Sequence, residues 1–308
     1  MILVVLLLLF GFFQSSVAFS AEKRQHPEIK GADDRLIVEA TEYPWSAVGR
    51  VNRAGLGFCT GVLVGPKTVL TAAHCIYNKR TRRNFQASSL HFVAGYQRGE
   101  YLAHAKATKV RIAPGYKNNG KASLPQSAHD WAVLTLAEPL GAIAGYFGVA
   151  SLTPQGLADL NRRGTVFAQA GYSKDRQHII SAHVNCELQG YAKEAKVVVH
   201  LCDAISGDSG SPLFAYINGS FSIVAIHSAT VRDVKPPLGI ALPSEAFVNQ
   251  LPKVSRKGGR APWRRTVGQT KSIEQILGLM PKKRNSNKTE ELGALMQSLP
   301  AKRNHRNK

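Results

Sequence analysis

Three stretches of the chain hold residues whose types and spacing suit nucleophilic chemistry. Ser209 lies in Gly207-Asp208-Ser209-Gly210-Ser211-Pro212, which follows Cys202-Asp203-Ala204-Ile205-Ser206. Glycines on both sides let a tight turn present one hydroxyl. A serine hydroxyl is a weak nucleophile at neutral pH, so it needs a base and a group that orients the base. His74, in Thr71-Ala72-Ala73-His74-Cys75, offers an imidazole directly after the strand-like Thr68-Val69-Leu70. Asp130 heads the apolar run Trp131-Ala132-Val133-Leu134 and offers a carboxylate. Asp159 and Asp175 are rival carboxylates, but neither precedes such a run.

Thr71-Ala72-Ala73-His74-Cys75, Asp130-Trp131-Ala132-Val133-Leu134 and Gly207-Asp208-Ser209-Gly210, in that order along the chain, resemble the chymotrypsin-like serine peptidases. The resemblance implies a secreted endopeptidase that hydrolyses peptide bonds through an acyl-enzyme. His74 would be the general base, Asp130 its orienting carboxylate and Ser209 the nucleophile. The backbone N–H groups of Gly207 and Ser209 would form the oxyanion hole. Ser211 departs from the glycine of most animal members. Further strings are similar to the bacterial glutamyl endopeptidase branch: Asp33-Asp34-Arg35, Tyr43-Pro44, Cys59 to Lys67, His74 to Asn78, and Ile226-His227-Ser228. The likeness covers residues 31–250. It places Ser228 beside Asp130 and along the substrate cleft, and it implies neither metal nor cofactor.

Specificity has two readings. Asp203 stands six residues before Ser209, the offset at which trypsins carry their pocket-floor carboxylate, and would favour Lys or Arg. His227 stands where Glu-specific relatives place the imidazole that receives a substrate carboxylate. Activation also has two readings. Arg35-Leu36-Ile37-Val38 resembles a cleavage site that would send a new α-amino group to Asp208; alternatively, Arg35 is an ordered N-terminal residue.

These residues need a scaffold. Short apolar runs such as 47–51, 61–64, 68–71, 90–94, 132–136, 165–170, 196–200 and 221–226 have strand length, with Gly, Pro and Asn between them. That pattern points to an all-β antiparallel sandwich or barrel. The resemblance sharpens it to two packed six-stranded antiparallel Greek-key barrels. Pro243 to Leu251 reads as a short C-terminal helix with Ser244 as N-cap. Cys59 and Cys75 bracket the segment ending in His74, and Cys186 and Cys202 bracket the segment entering the Ser209 turn. Two disulfides suit an exported chain, although other pairings stay open at this level. No close Cys-x-x-Cys spacing suggests a metal site.

A chain of 308 residues can bury a large core. Residues 1–21 carry no side-chain charge, and the run Met1 to Phe13 is too short to span a bilayer. They read as a signal peptide, implying a secreted or periplasmic protein without a transmembrane span. Residues 22–35 are charged and read as an exposed leader or propeptide, and 36–252 as the peptidase domain. The formal charge is +20, and residues 253–308 hold 15 Lys or Arg against 3 Asp or Glu. This basic tail, expected to be disordered from its charge and low apolar content, repeats Ile276 to Asn285 as Leu295 to Asn304. Its expected partner is an anionic surface, without specific nucleic-acid recognition. Protein or peptide substrates are the main expected partners. Two other functions fit the same chain: a non-catalytic binding module on this fold, or a protein that acts through its tail.

Overall fold

Residues rich in Val, Ala, Leu and Thr, interrupted by turn residues, build two sheets that meet at the three chemical stretches. A computed structural model describes residues 26–117, 124–192 and 196–256. The expected signal peptide and all of the basic tail beyond Arg256 lie outside them.

The first sheet is a closed barrel of six strands. Strand β1 (Leu36–Ile37) precedes it in the chain. The barrel itself comprises β2 (Val48–Arg53), β3 (Phe58–Gly65), β4 (Thr68–Thr71), β7 (Leu90–Ala94), β8 (Ala103–Ile112) and β9 (Ala132–Leu136), in the order β2-β3-β4-β9-β8-β7. A small hairpin, β5 (Tyr77–Asn78) and β6 (Arg83–Asn84), follows the His74 segment. The second sheet has eight strands in the order β1-β11-β10-β14-β15-β16-β13-β12. Its members are β10 (Phe167–Gly171), β11 (Ser181–Cys186), β12 (Leu188–Ala192), β13 (Val197–His200), β14 (Pro212–Ile217), β15 (Ser220–Val231) and β16 (Leu238–Pro243), with β1 on one edge. The second half is therefore a half-barrel of eight strands, where six closed strands were expected. Every ladder between named strands is antiparallel.

One core runs through both halves. Phe147 and Phe214, both fully buried, pack with their rings tilted by 38° and centroids 4.5 Å apart, and Phe221 closes on Phe214 at 5.7 Å. Such aromatic contacts add to the area that the rings remove from water. The C-terminal segment differs from the expected single helix. Ser244–Ala246 and Val248–Gln250 are separate 3₁₀ turns, broken at Phe247. Ser244 is not a cap: its hydroxyl accepts from Leu152 N–H at 2.9 Å and donates to the Ala150 carbonyl at 2.5 Å. The side chain is committed to the connection between the halves.

Cys59 and Cys75 form one disulfide, and Cys186 and Cys202 the other, each closing a separation of 16 residues. The first ties β3 to the turn that carries His74. Replacing Cys59 and Cys75 together by Ala is expected to lower unfolding stability by roughly 3 kcal/mol, read by urea denaturation. No change in midpoint would show that the link constrains nothing in the unfolded chain.

Candidate active site

His74 sits in a 3₁₀ turn, Ala73–Ile76, entered directly from β4. Asp130 lies just ahead of β9, which pairs with β4, so the ladder brings the two residues together. The Asp130 Oδ1 accepts from His74 N–H at 2.8 Å, and its Oδ2 lies 2.7 Å from His74 Nδ1. Ser228, from β15 of the other half, donates its hydroxyl to the same Oδ2 at 2.6 Å. The Asp130 side chain is 5% exposed, whereas that of His74 is 31% exposed. A buried, three-bonded carboxylate holds the imidazole by Nδ1 and leaves Nε2 on the open side.

Ser209 is partly exposed on the turn before β14. Its carbonyl accepts from Thr60 N–H at 3.0 Å and lies 3.7 Å from Cys75 Sγ, next to His74. Among the described residues, no hydrogen bond joins the Ser209 and His74 side chains. The turn demands its glycines. Gly207 has φ +104°, and a Cβ there would meet the Tyr172 carbonyl at 2.6 Å. Gly210 has φ +82°, and a Cβ there would lie 2.4 Å from Thr71 Oγ1 and 2.5 Å from the Thr60 carbonyl. Both positions are closed to any side chain. Among the described residues, neither the Gly207 nor the Ser209 N–H is taken by another protein group.

Asp208 points away from the turn into the protein. Its Oδ2 accepts from Ser173 Oγ at 2.5 Å and from Ile205 N–H at 2.9 Å. Burial is the main influence and pushes its carboxyl up to about 6, despite those bonds and the charge of Arg35. The Arg35 guanidinium donates to Ser173 Oγ at 2.9 Å and pairs with Asp33 and Asp175, each at 2.8 Å. Burial opposes that charge, but the two carboxylates outweigh it and raise the Arg35 pKa. With its side chain 2% exposed, Arg35 is an ordered part of the fold.

Residues 26–35 differ from the exposed leader that their charge suggested. Glu28, Ile29 and Arg35 are buried. Glu28 Oε2 accepts from Ser206 N–H at 3.0 Å, and its other oxygen binds Arg232. Lys30 N–H donates to Asp203 Oδ1 at 2.8 Å, and Asp34 N–H to Asp203 Oδ2 at 3.1 Å. His183 lies 3.3 Å from the same carboxylate, and Asp203 is 2% exposed. Burial would raise the Asp203 pKa, but His183 and the two backbone donors lower it. Asp203 is therefore fully engaged by its own chain. His227 is 3% exposed and bound to the serine turn on both sides, its N–H to the Ser211 carbonyl and its carbonyl to Gly210 N–H, each 2.8 Å. Its Nδ1 lies 3.0 Å from Nε2 of His200, a buried residue absent from the sequence reading. Burial first, then the charges of Lys30 and His74, push His227 down to about 3. Glu28, Lys30, Arg35, Ser173, His183 and His200 were all missed as site residues. The charge-rich string Glu28 to Arg35 was the visible signal for three of them, Glu28, Lys30 and Arg35.

A barrel and a half-barrel with Ser, His and Asp at their seam define the architecture of a chymotrypsin-like serine peptidase. The chain belongs to the trypsin family, whose model matches residues 37–250. It is 31% identical over 188 residues to the glutamyl endopeptidase of Bacillus licheniformis, which covers 60% of this chain and 54% of that protein. The chain thus matches about half the length of that relative, and it lies close to the glutamyl endopeptidase branch. A solved Glu endopeptidase superposes with TM-score 0.59 at 24% identity, covering 72% of this chain and 96% of that one. A scabies mite inactivated protease paralogue superposes with TM-score 0.54 at 16% identity, over 71% and 95%. Since the fold also carries an inactivated protein, activity has to be argued from the site.

The Asp208 geometry has a measurable consequence. A carboxyl with pKa near 6 folded and 3.8 free binds its proton more tightly in the folded state. Its contribution is complete below 3.8 and is lost as pH rises through about 6. Urea denaturation across that range should show the wild type losing stability relative to Asp208→Asn. Parallel curves for the two proteins would rule this out.

Proposed function

We propose that this protein is a secreted serine endopeptidase that cuts after acidic residues. The observation that carries the catalytic part is the 2.7 Å contact of Asp130 with His74 Nδ1, made beside a glycine-flanked Ser209. In this reading Ser209 Oγ attacks the scissile carbonyl carbon and its proton passes to His74 Nε2. The carbonyl π electrons move to oxygen, and the N–H groups of Gly207 and Ser209 receive the resulting oxyanion. Collapse expels the amine, which takes its proton from His74, and leaves an acyl-Ser209 ester. Water, deprotonated by His74, then releases the acid and restores the hydroxyl. Asp130 stabilises the imidazolium in both halves, and Ser228 helps to keep that carboxylate in place.

The acidic preference is supported by how the two specificity candidates are used. Asp203 is 2% exposed and its two oxygens already accept from the Lys30 and Asp34 N–H groups, which uses it inside the fold rather than leaving it open to a substrate Lys or Arg. His227, joined to the serine turn, keeps Nε2 outside its pair with His200. The likeness to a protein named glutamyl endopeptidase agrees. Secretion is supported by residues 1–21 and by two disulfides.

Two measurements test the proposal. Ser209→Ala should abolish labelling by a fluorophosphonate and lower peptidase turnover by about 10⁶-fold; undiminished labelling would sink the catalytic assignment. A peptide library digested by the full-chain enzyme should show Glu or Asp immediately before the cut. Lys or Arg there would return the specificity role to Asp203.

A further inference from the structure

Resting on the acidic-residue reading above, a second question arises from the charge around His227. Receiving a carboxylate into a closed site requires a compensating positive charge. His227 does not supply it. Burial, Lys30 and His74 keep it unprotonated at neutral pH, and His200 is pushed down too, first by burial and then by the neighbouring His227 imidazole and the Lys30 charge. The imidazole pair offers hydrogen bonds without net charge.

The neighbouring cations are mostly committed. Arg35 is paired with Asp33 and Asp175, and Arg232 with Glu28. Lys30 differs. Its backbone is pinned to Asp203, six residues before Ser209. Its ammonium donates to the Glu28 carbonyl at 3.1 Å, and Glu28 is itself fixed to Ser206, three residues before Ser209. Among the described residues, Lys30 has no carboxylate within ion-pair distance, although Asp203, Asp208 and Glu28 act on it at longer range. Its charge reaches both imidazoles of the buried pair. Burial lowers its own pKa to about 8, so it remains charged at neutral pH.

We propose that Lys30 is a specificity-determining residue, whose ammonium joins His227 in receiving the carboxylate of the substrate residue before the cut. The positive charge thus comes from a segment N-terminal to the residues that the family model matches. The site would take Glu or Asp side chains and discriminate against their amides through Lys30. Length matters as well as charge, since the ammonium hangs from a backbone fixed on Asp203.

The test compares two peptides that differ only in Glu or Gln before the scissile bond, cut by full-chain wild type, Lys30→Met and Lys30→Arg. The wild type should favour Glu. In Lys30→Met the Glu:Gln ratio of kcat/KM should fall about 100-fold, as expected for truncating one partner of a closed charge pair. Lys30→Arg should keep most of the ratio. Fluorophosphonate labelling of Ser209 reports whether each variant has an assembled site. Where Met is not tolerated, Lys30→Gln carries the same expected loss. A wild type that favours Glu, with a Lys30→Met or Lys30→Gln enzyme that keeps the ratio, overturns the Lys30 assignment alone. A wild type with no preference for Glu overturns the acidic-residue reading and this assignment with it.

Discussion

Thr60 is the joint on which the rest depends. It belongs to β3 of the first barrel and is fully buried, yet its bonds reach the serine turn of the second half. Its N–H donates to the Ser209 carbonyl at 3.0 Å, and its hydroxyl donates to the Gly207 carbonyl at 3.0 Å while accepting from Tyr172 N–H at 2.9 Å. Its own carbonyl receives the Thr71 hydroxyl at 2.8 Å, one strand across. One residue thus fixes the nucleophile's backbone relative to the strand that leads into His74. A valine would fill the same space but leave Tyr172 N–H and Gly207 C=O without that partner, in a place water does not reach. Cys59, the preceding residue, is bonded to Cys75, the residue after His74. Two adjacent positions on β3 therefore hold both ends of the reacting pair.

Around this joint the protein buries several carboxylates, and each has a specific answer. Asp130 is met by His74 and Ser228, Asp208 by Ser173 and Ile205, Asp203 by Lys30, Asp34 and His183, and Glu28 by Ser206 and Arg232. A buried ion costs several kcal/mol unless its lone pairs are filled. The answers come from both sheets and from residues 26–35, so the arrangement specifies one relative placement of all three. Ser173 shows the economy of the design. It receives the Arg35 guanidinium and passes its own proton toward Asp208, so that a cation several bonds away steadies the base of the serine turn.

Much of this was legible before any coordinates. The eight apolar runs all fall on strands, because a short continuous run of Val, Leu and Ala has few other ways to hide both faces. The strand β8 escaped notice: Ala105 and Ala107 face inward, but Lys106, Lys109 and Arg111 lie between and beyond them, so no run forms. The helix Pro154–Arg162 was missed for a similar reason, since it buries little besides Leu157 and relies on Pro at its start and a Thr153 cap. His74, Asp130 and Ser209 were readable because local strings surround them. Lys30, Arg35 and His200 were not, because the contacts that tie them to the site, with Asp203, Ser173 and His227, span 27 to 173 residues. Charge in a short N-terminal stretch looks like solvation until the carboxylates and backbone donors it meets are known.

That separation bears on how the chain assembles. Glu28 closes on Ser206 and Arg232 across 178 and 204 residues, whereas β2 and β3 pair across a single tight turn. Contacts of such range pay their loop-closure entropy late, after local pairings have formed. The first barrel has all its strands by residue 136 and needs nothing that follows for its own ladder. Glu28, by contrast, must wait for nearly the whole domain to be synthesised before both of its partners exist. The cleft is accordingly among the last places to be completed, and a chain cut short before residue 173 would hold the first barrel, His74 and Asp130, with Glu28, Lys30, Asp34 and Arg35 still lacking Ser206, Asp203, Ser173 and Asp175.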